Sequence, residues 1–208
     1  MPTTEADLIL RVRTRIGLAA TDGRLTDDDI ERFLNDSIHY LALQSDWPWH
    51  KASQTINTVA GTSTYVPASA ARVIRHLILP GKDQVIEEIT HRTSAEYESL
   101  SQGIPRWFTY ENGTIELYPT PNAAFALTLR YLKYPDVLDT ALDEVDSPVM
   151  MDSLIVTKAT MYAAEKLRDS EMAQRMDQTF RADLAEMKAG ALDSRASIGI
   201  NVRDDWLL

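Results

Sequence analysis

Asn112-Gly113, set between Trp107-Phe108-Thr109-Tyr110-Glu111 and Thr114-Ile115-Glu116-Leu117-Tyr118, constrains this chain more than any other feature. A type I′ turn needs φ > 0 at both central residues, and Asn-Gly meets that demand, so the flanking aromatic and β-branched runs pair as a tight hairpin. Beyond Pro119 and Pro121 comes the alternating run Leu127-Thr128-Leu129-Arg130-Tyr131-Leu132-Lys133. The stretch from Gly103 to Pro135 therefore reads as a β-meander. It holds no His, no phosphate loop and no candidate nucleophile, which points to a module built to hold something.

Helical sequence flanks it on both sides. Thr3 or Thr4 caps a first helix with Leu8, Ile9, Val12 and Ile16 on one stripe and Gly17 ending it. Thr26 opens a second helix with Asp27, Asp28 and Asp29 in its first turn, where the helix dipole favours negative charge. Its apolar face is Ile30, Phe33, Leu34, Ser37, Ile38 and Leu41. Asp46-Trp47-Pro48-Trp49 breaks that period. Two short β runs, 55–59 and 62–66, then meet at Ala60-Gly61 as an expected hairpin, and the runs 72–79 and 85–89 flank a turn at Pro80-Gly81. A short helix is expected from Thr93 or Ser94, carrying Tyr97 and Leu100. After the meander, the segment from Pro135 to Asp152 holds six carboxylates and no Lys or Arg, the composition of a solvated connector. Ser147-Pro148 reads as the next helix start. A third helix runs through Leu154, Ile155, Ala159 and Ala163, and a fourth through Met172, Met176, Phe180, Leu184 and Met187, stopping at Gly190.

The expected fold class is α+β: a four-helix bundle formed by both chain ends, residues 1–45 and 146–190, with a small antiparallel β-domain, 46–135, inserted between. Residues 136–145 make the acidic connector and 191–208 an extended C-terminal arm. The arm alternates at Ile198, Ile200 and Val202 and ends Trp206-Leu207-Leu208. A terminal segment of that pattern suits docking on another chain.

Chemistry is sparse. Absence of cysteine excludes disulfides and thiolate ligands. His39, His50, His76 and His91 lack metal-ligand spacing, and Asp22-Gly23 with Asp27 to Asp29 lacks the ligand order of a calcium loop. There is no Walker loop, GxGxxG or Gly-x-Ser-x-Gly elbow. Glu87 and Glu88, near His91, are adjacent on a strand and point to opposite faces. No catalytic residue, cofactor or metal is expected. The formal net charge of −10 disfavours binding to nucleic-acid phosphates and anionic membranes. No apolar run reaches the roughly 20 residues of a membrane helix, and the N-terminus lacks signal-peptide character. Trp47, Trp49, Trp107, Phe108, Tyr110 and Tyr118 read as core with an interface rim rather than a base-stacking or sugar shelf.

In order along the chain, Ile30-Glu31-Arg32-Phe33-Leu34-Asn35-Asp36-Ser37-Ile38, Trp47-Pro48-Trp49, Thr64-Tyr65-Val66-Pro67, Gly103-Ile104-Pro105, Ile115-Glu116-Leu117-Tyr118-Pro119-Thr120-Pro121 and the helix around Leu154 to Ala159 resemble the head-to-tail adaptor proteins (connector, tail-tubular or neck) of tailed bacteriophages. The resemblance implies a structural virion protein made in the host cytoplasm and placed in the neck. It implies a dodecameric ring below the portal protein, a tail or nozzle protein beneath, and double-stranded DNA passing without specific binding. Ile198, Ile200, Val202, Trp206, Leu207 and Leu208 would then dock on portal or a neighbouring subunit. Asp136, Asp139, Asp143, Glu144 and Asp146 would line a channel or rim, and Trp107, Phe108, Tyr110 and Tyr118 would form the β-domain's contact surface. The alternatives are a stopper or tail-tube terminator and, from other classes, a small carbohydrate-active enzyme or a DNA-binding regulator.

Overall fold

The computed structural model describes residues 3–19, 22–68, 70–82, 84–90, 96–97, 100–145 and 151–197. The chain divides into two units, Met1–Trp49 with Pro135–Leu208, and His50–Tyr134.

The first unit is helical. In α1 (Glu5–Ile16) the Thr4 side chain accepts the Asp7 N–H, and Gly17, at φ 76°, donates back to Arg13 and Thr14. In α2 (Asp27–Gln44) Thr26 and Asp29 form a reciprocal capping box. The buried Arg13 side chain ties the two helices together: Nε donates to Asp27 Oδ1 at 2.8 Å, Nη1 to the Ala19 carbonyl and Nη2 to the Leu25 carbonyl. Two further helices follow, α3 (Asp152–Lys166) and α4 (Ser170–Ser197). The helix start expected at Ser147-Pro148 lies outside the described residues.

The helices do not form the expected four-helix bundle. A bundle wall carries one apolar stripe, whereas α3 buries Leu154, Ile155, Val156, Thr157, Lys158, Ala159, Thr160, Met161, Ala163 and Ala164, which point all around its axis. It is a central helix on which α1, α2 and α4 pack. Leu8, Val12, Ile30, Leu34, Leu154, Ile155, Phe180 and Leu184 share its core. The buried hydroxyls of Thr157 and Thr160 are satisfied within the helix, donating to the Ser153 and Val156 carbonyls. Nor does Gly190 stop α4, which continues to Ser197. A helical glycine costs about 1 kcal/mol relative to alanine, and Ala189, Ala191 and Leu192 on either side favour propagation.

The second unit is not a small insert but a seven-stranded sheet: β1 (Lys51–Asn57), β2 (Thr64–Tyr65), β3 (Ala71–Leu79), β4 (Gln84–Glu88), β5 (Trp107–Glu111), β6 (Thr114–Tyr118) and β7 (Ala126–Lys133), in spatial order β1-β7-β3-β4-β5-β6-β2. Five neighbour pairs are antiparallel, while β4 and β5 run parallel. A parallel pair needs a long crossover, and residues 89–106 supply it. The expected helix from Thr93 or Ser94 falls largely outside the described residues.

The Asn112-Gly113 hairpin forms as expected, with φ 49° and 78° and Glu111 opposite Thr114. The meander does not. β7 pairs with β1 and β3, because the open edge of β6 is already taken by β2. The expected β1–β2 hairpin also fails: Ala60-Gly61 turns the chain, but the two strands lie at opposite ends of the strand order. Six residues join those ends, so the sheet has to curl until its edges approach each other. Its core agrees, since Ile56, Ile74 and Leu129 from one half share a cluster with Phe108, Ile115 and Leu117 from the other. The Tyr110 hydroxyl, donating to the Ala71 carbonyl at 2.7 Å, bridges β5 to β3 across the curl.

In β3 the inward residues are Ala71, Ile74, Leu77 and Leu79, spaced three, three and two apart. Register shifts against β7 fall between Ala71 and Val73 and between Ile74 and His76. Each bulge inserts one residue, Arg72 or Arg75, and bends the strand.

Candidate functional site

Among the described residues no three His, Asp or Glu side chains converge to hold a metal ion, and no described helix is long and apolar enough to cross a membrane.

The acidic connector is only partly a solvated tether. Leu138 and Val145 are buried in the helical core. The Asn35 amide clamps the Leu138 backbone twice, donating to its carbonyl at 2.8 Å and accepting its N–H at 2.9 Å. Asp143 closes a turn by accepting the Asp139 and Thr140 N–H groups and the Thr140 hydroxyl. The Asp143 carbonyl in turn accepts the Glu5 N–H at 2.9 Å, at the start of α1. Hydrogen bonds from Asp139 and Thr140 bring the Asp143 carboxyl down to about 2, while its proximity raises Asp139. Burial raises Glu5, and the charges of Glu31, Asp143 and Asp139 add to that. Asp136, Asp139 and Glu144 are exposed, Asp143 is half-buried, and Asp146 lies outside the described residues.

The four aromatic residues expected at a contact surface differ in burial. Phe108 and Tyr118 are only 2% and 5% exposed; Phe108 points into the sheet core with Leu117 opposite it, whereas Tyr118 lies opposite Trp107 on the other face. Trp107 and Tyr110 are half-buried, Trp107 lying 4.5 Å from the Tyr97 ring. Trp47 and Trp49 stack in the helical unit, and the buried Trp47 Nε1 donates to the Leu41 carbonyl. The arm residues Ile198, Ile200, Val202, Trp206, Leu207 and Leu208 lie outside the described residues.

Two features escaped the sequence reading. Lys158 is buried on α3 with its ammonium 4.6, 5.0 and 5.1 Å from the rings of Tyr40, Tyr162 and Phe180. Burial lowers its pKa, an effect that the charges of Asp177 and Glu165 partly offset, and the ring faces add to the stabilisation of the cation. This arrangement locks α2, α3 and α4 at one point. The only hint in sequence was a lysine within an apolar helix.

The second feature is a groove of about 500 Å³ walled by Leu10, Arg11, Thr14 and Arg15 of α1 and by Ser153 and Val156 of α3. Leu10 and Thr14, like Arg11 and Arg15, are four apart and share a face. Arg11 Nη1 lies 3.5 Å from the buried Asp152 carboxylate, which also accepts the Thr3 hydroxyl, and Arg15 donates to Thr157 Oγ1. The i, i+4 arginines were visible in sequence, but only the packing of α1 on α3 makes a groove beside them.

A family model described as SU10 adaptor protein matches residues 3–203. No curated protein matches the chain.

Proposed function

Since the chain belongs to the SU10 adaptor protein family, we propose that it is a structural protein of a tailed-phage virion, a head-to-tail adaptor that forms a ring below the portal and joins the capsid to the tail. The observation that carries this reading is the extent of the match. It spans helical unit, sheet unit and connector together, so the whole architecture and not a single motif is what the family shares.

The remaining features fit assembly. A ring repeats one heterologous interface between successive subunits. Residues 198–208 supply a docking segment that engages portal or the neighbouring subunit. Asp136, Asp139, Asp143 and Glu144 present carboxylates at a rim or channel, where repulsion lets double-stranded DNA pass without sticking, in keeping with the net charge of −10. On the sheet unit, the half-buried Trp107 and Tyr110 are the aromatic groups left to meet a tail or nozzle protein.

Electron microscopy of the protein mixed with its portal tests the reading. A ring stacked on the portal, dodecameric by resemblance, is the expected result. A ring that forms only on tail-tube protein would make the chain a terminator or stopper, and no ring with either partner would overturn the assignment.

A further inference from the structure

We propose that the groove between α1 and α3 receives the Asp204-Asp205-Trp206-Leu207-Leu208 segment of a second copy of this chain. The inference rests on the ring-adaptor reading and names one of its subunit contacts.

Charge and polarity favour this occupant. The protein has ten more acidic than basic side chains (31 against 21), and this groove carries two arginines. Among the described residues Arg15 meets no carboxylate, and Arg11 meets only Asp152 through one long contact. Beside them Leu10 is 63% exposed and does not contribute to the protomer's own core. The segment offers the complement in order, two carboxylates followed by three apolar side chains. Asp204 and Asp205 would pair with the guanidinium groups, and Trp206 with the leucines would cover Leu10 and Val156.

Chain geometry favours a second copy over the same one. Lys158 of α3 lies against Phe180 of α4, and Ala164 shares a cluster with Ala173, so the helices run antiparallel and Asp152 falls near the level of Glu186. The eleven residues from Met187 to Ser197 carry α4 about 16 Å past the start of α3. Residues 198–203 then reach at most roughly 24 Å before Asp204. Return to the same groove would consume nearly all of that reach, doubling back along α4 and crossing α3 to its α1 side.

The test uses the full chain carrying D204K/D205K, which disables its own segment, titrated with a fluorescent peptide of residues 198–208. The peptide is expected to bind, and adding R15E to the protein is expected to weaken binding at least tenfold, with R11E/R15E weaker still. A peptide with both aspartates changed to lysine should bind the R11E/R15E protein, which shows the variant is folded and the pairing is electrostatic. Equal binding with and without R15E, or no binding to the D204K/D205K chain, would overturn the inference. If the wild-type chain excludes the peptide even at high dilution, the segment sits in its own groove and the second-copy assignment is wrong. Stacked rings on portal accompanying any of these failures would sink this contact and leave the adaptor reading intact.

Discussion

At the scale of single residues, the helical unit concentrates its electrostatic tension at Glu5. This side chain is 4% exposed, its Oε2 has no hydrogen-bond partner among the described residues, and Glu31, Asp143 and Asp139 stand near it. Its pKa is raised above the ordinary 4.5, so the folded state holds this proton more tightly than the unfolded chain. Stability from this group is therefore fully present at low pH and is lost as pH rises above 4.5 through the folded value. Glu5→Gln should remove that slope: thermal midpoints between pH 4.5 and 7 should fall less steeply for the variant than for the wild type. Identical slopes would show that Glu5 is not the titrating group. Asp29 and Asp143 work in the opposite sense. Lys166 and the Thr26 cap lower Asp29, and hydrogen bonds from Asp139 and Thr140 lower Asp143, so their contributions disappear only as pH falls below 3.8. The two windows do not overlap.

At the scale of elements, the sheet shows how local signals and long-range pairing divide the work. The β5–β6 hairpin is a local structure, fixed by two φ > 0 residues, and it was legible from Asn112-Gly113 alone. The partners of β1, β2 and β7 are not local. Runs 55–59 and 62–66 carry strand propensity and a turn between them, which is all a sequence needs to suggest a hairpin, yet the curled sheet sends them to its two edges. Burial rewards closing one core from both halves more than pairing two short neighbours. The Tyr110–Ala71 hydrogen bond belongs to this closure. Tyr110→Phe should cost about 1 kcal/mol in unfolding free energy, since it deletes one bond to a backbone acceptor without opening a cavity. It should also speed amide exchange at the start of β3 while leaving the hairpin protected. An unchanged midpoint in denaturant would remove the bond from the account of the curl. In the helical unit, α3 is a central helix and not the expected bundle wall: it buries residues on every side of its axis, and a helix apolar all round belongs in a core.

At the scale of the whole molecule, the connector departs furthest from what its composition implies. Composition alone points to a solvated tether, and Asp136, Asp139 and Glu144 are indeed exposed. Leu138 and Val145 nonetheless enter the helical core, and Asn35 fixes the backbone between them and α2. Asn35→Ala should destabilise the helical unit by about 1–3 kcal/mol, because the Leu138 N–H and carbonyl lose their partners in a part-buried site. Hydrogen exchange is the measurement: protection should fall in α1, α2 and the connector, with the β3–β7 ladder unaffected. Equal loss in the sheet would mean that the two units do not respond separately.

The sequence by itself determined the parts governed by nearest neighbours. The Thr4 and Thr26 caps, the Gly17 stop, the amphipathic stripes of α1 and α2 and the Asn-Gly turn all follow from interactions within a few residues. That the chain is of a phage adaptor-type family was also legible, in the order of short segments along the chain. Tertiary structure alone decided which helix lies at the centre, which strands pair, where the bulges of β3 fall, and that Phe108 faces the sheet core while Tyr118 is buried on the other face. The pairing of two arginines on α1 with a wall of α3, and the three rings around Lys158, belong to the same class. Each joins residues distant in sequence, and their juxtaposition is set by closing a shared core, a quantity that no local pattern encodes.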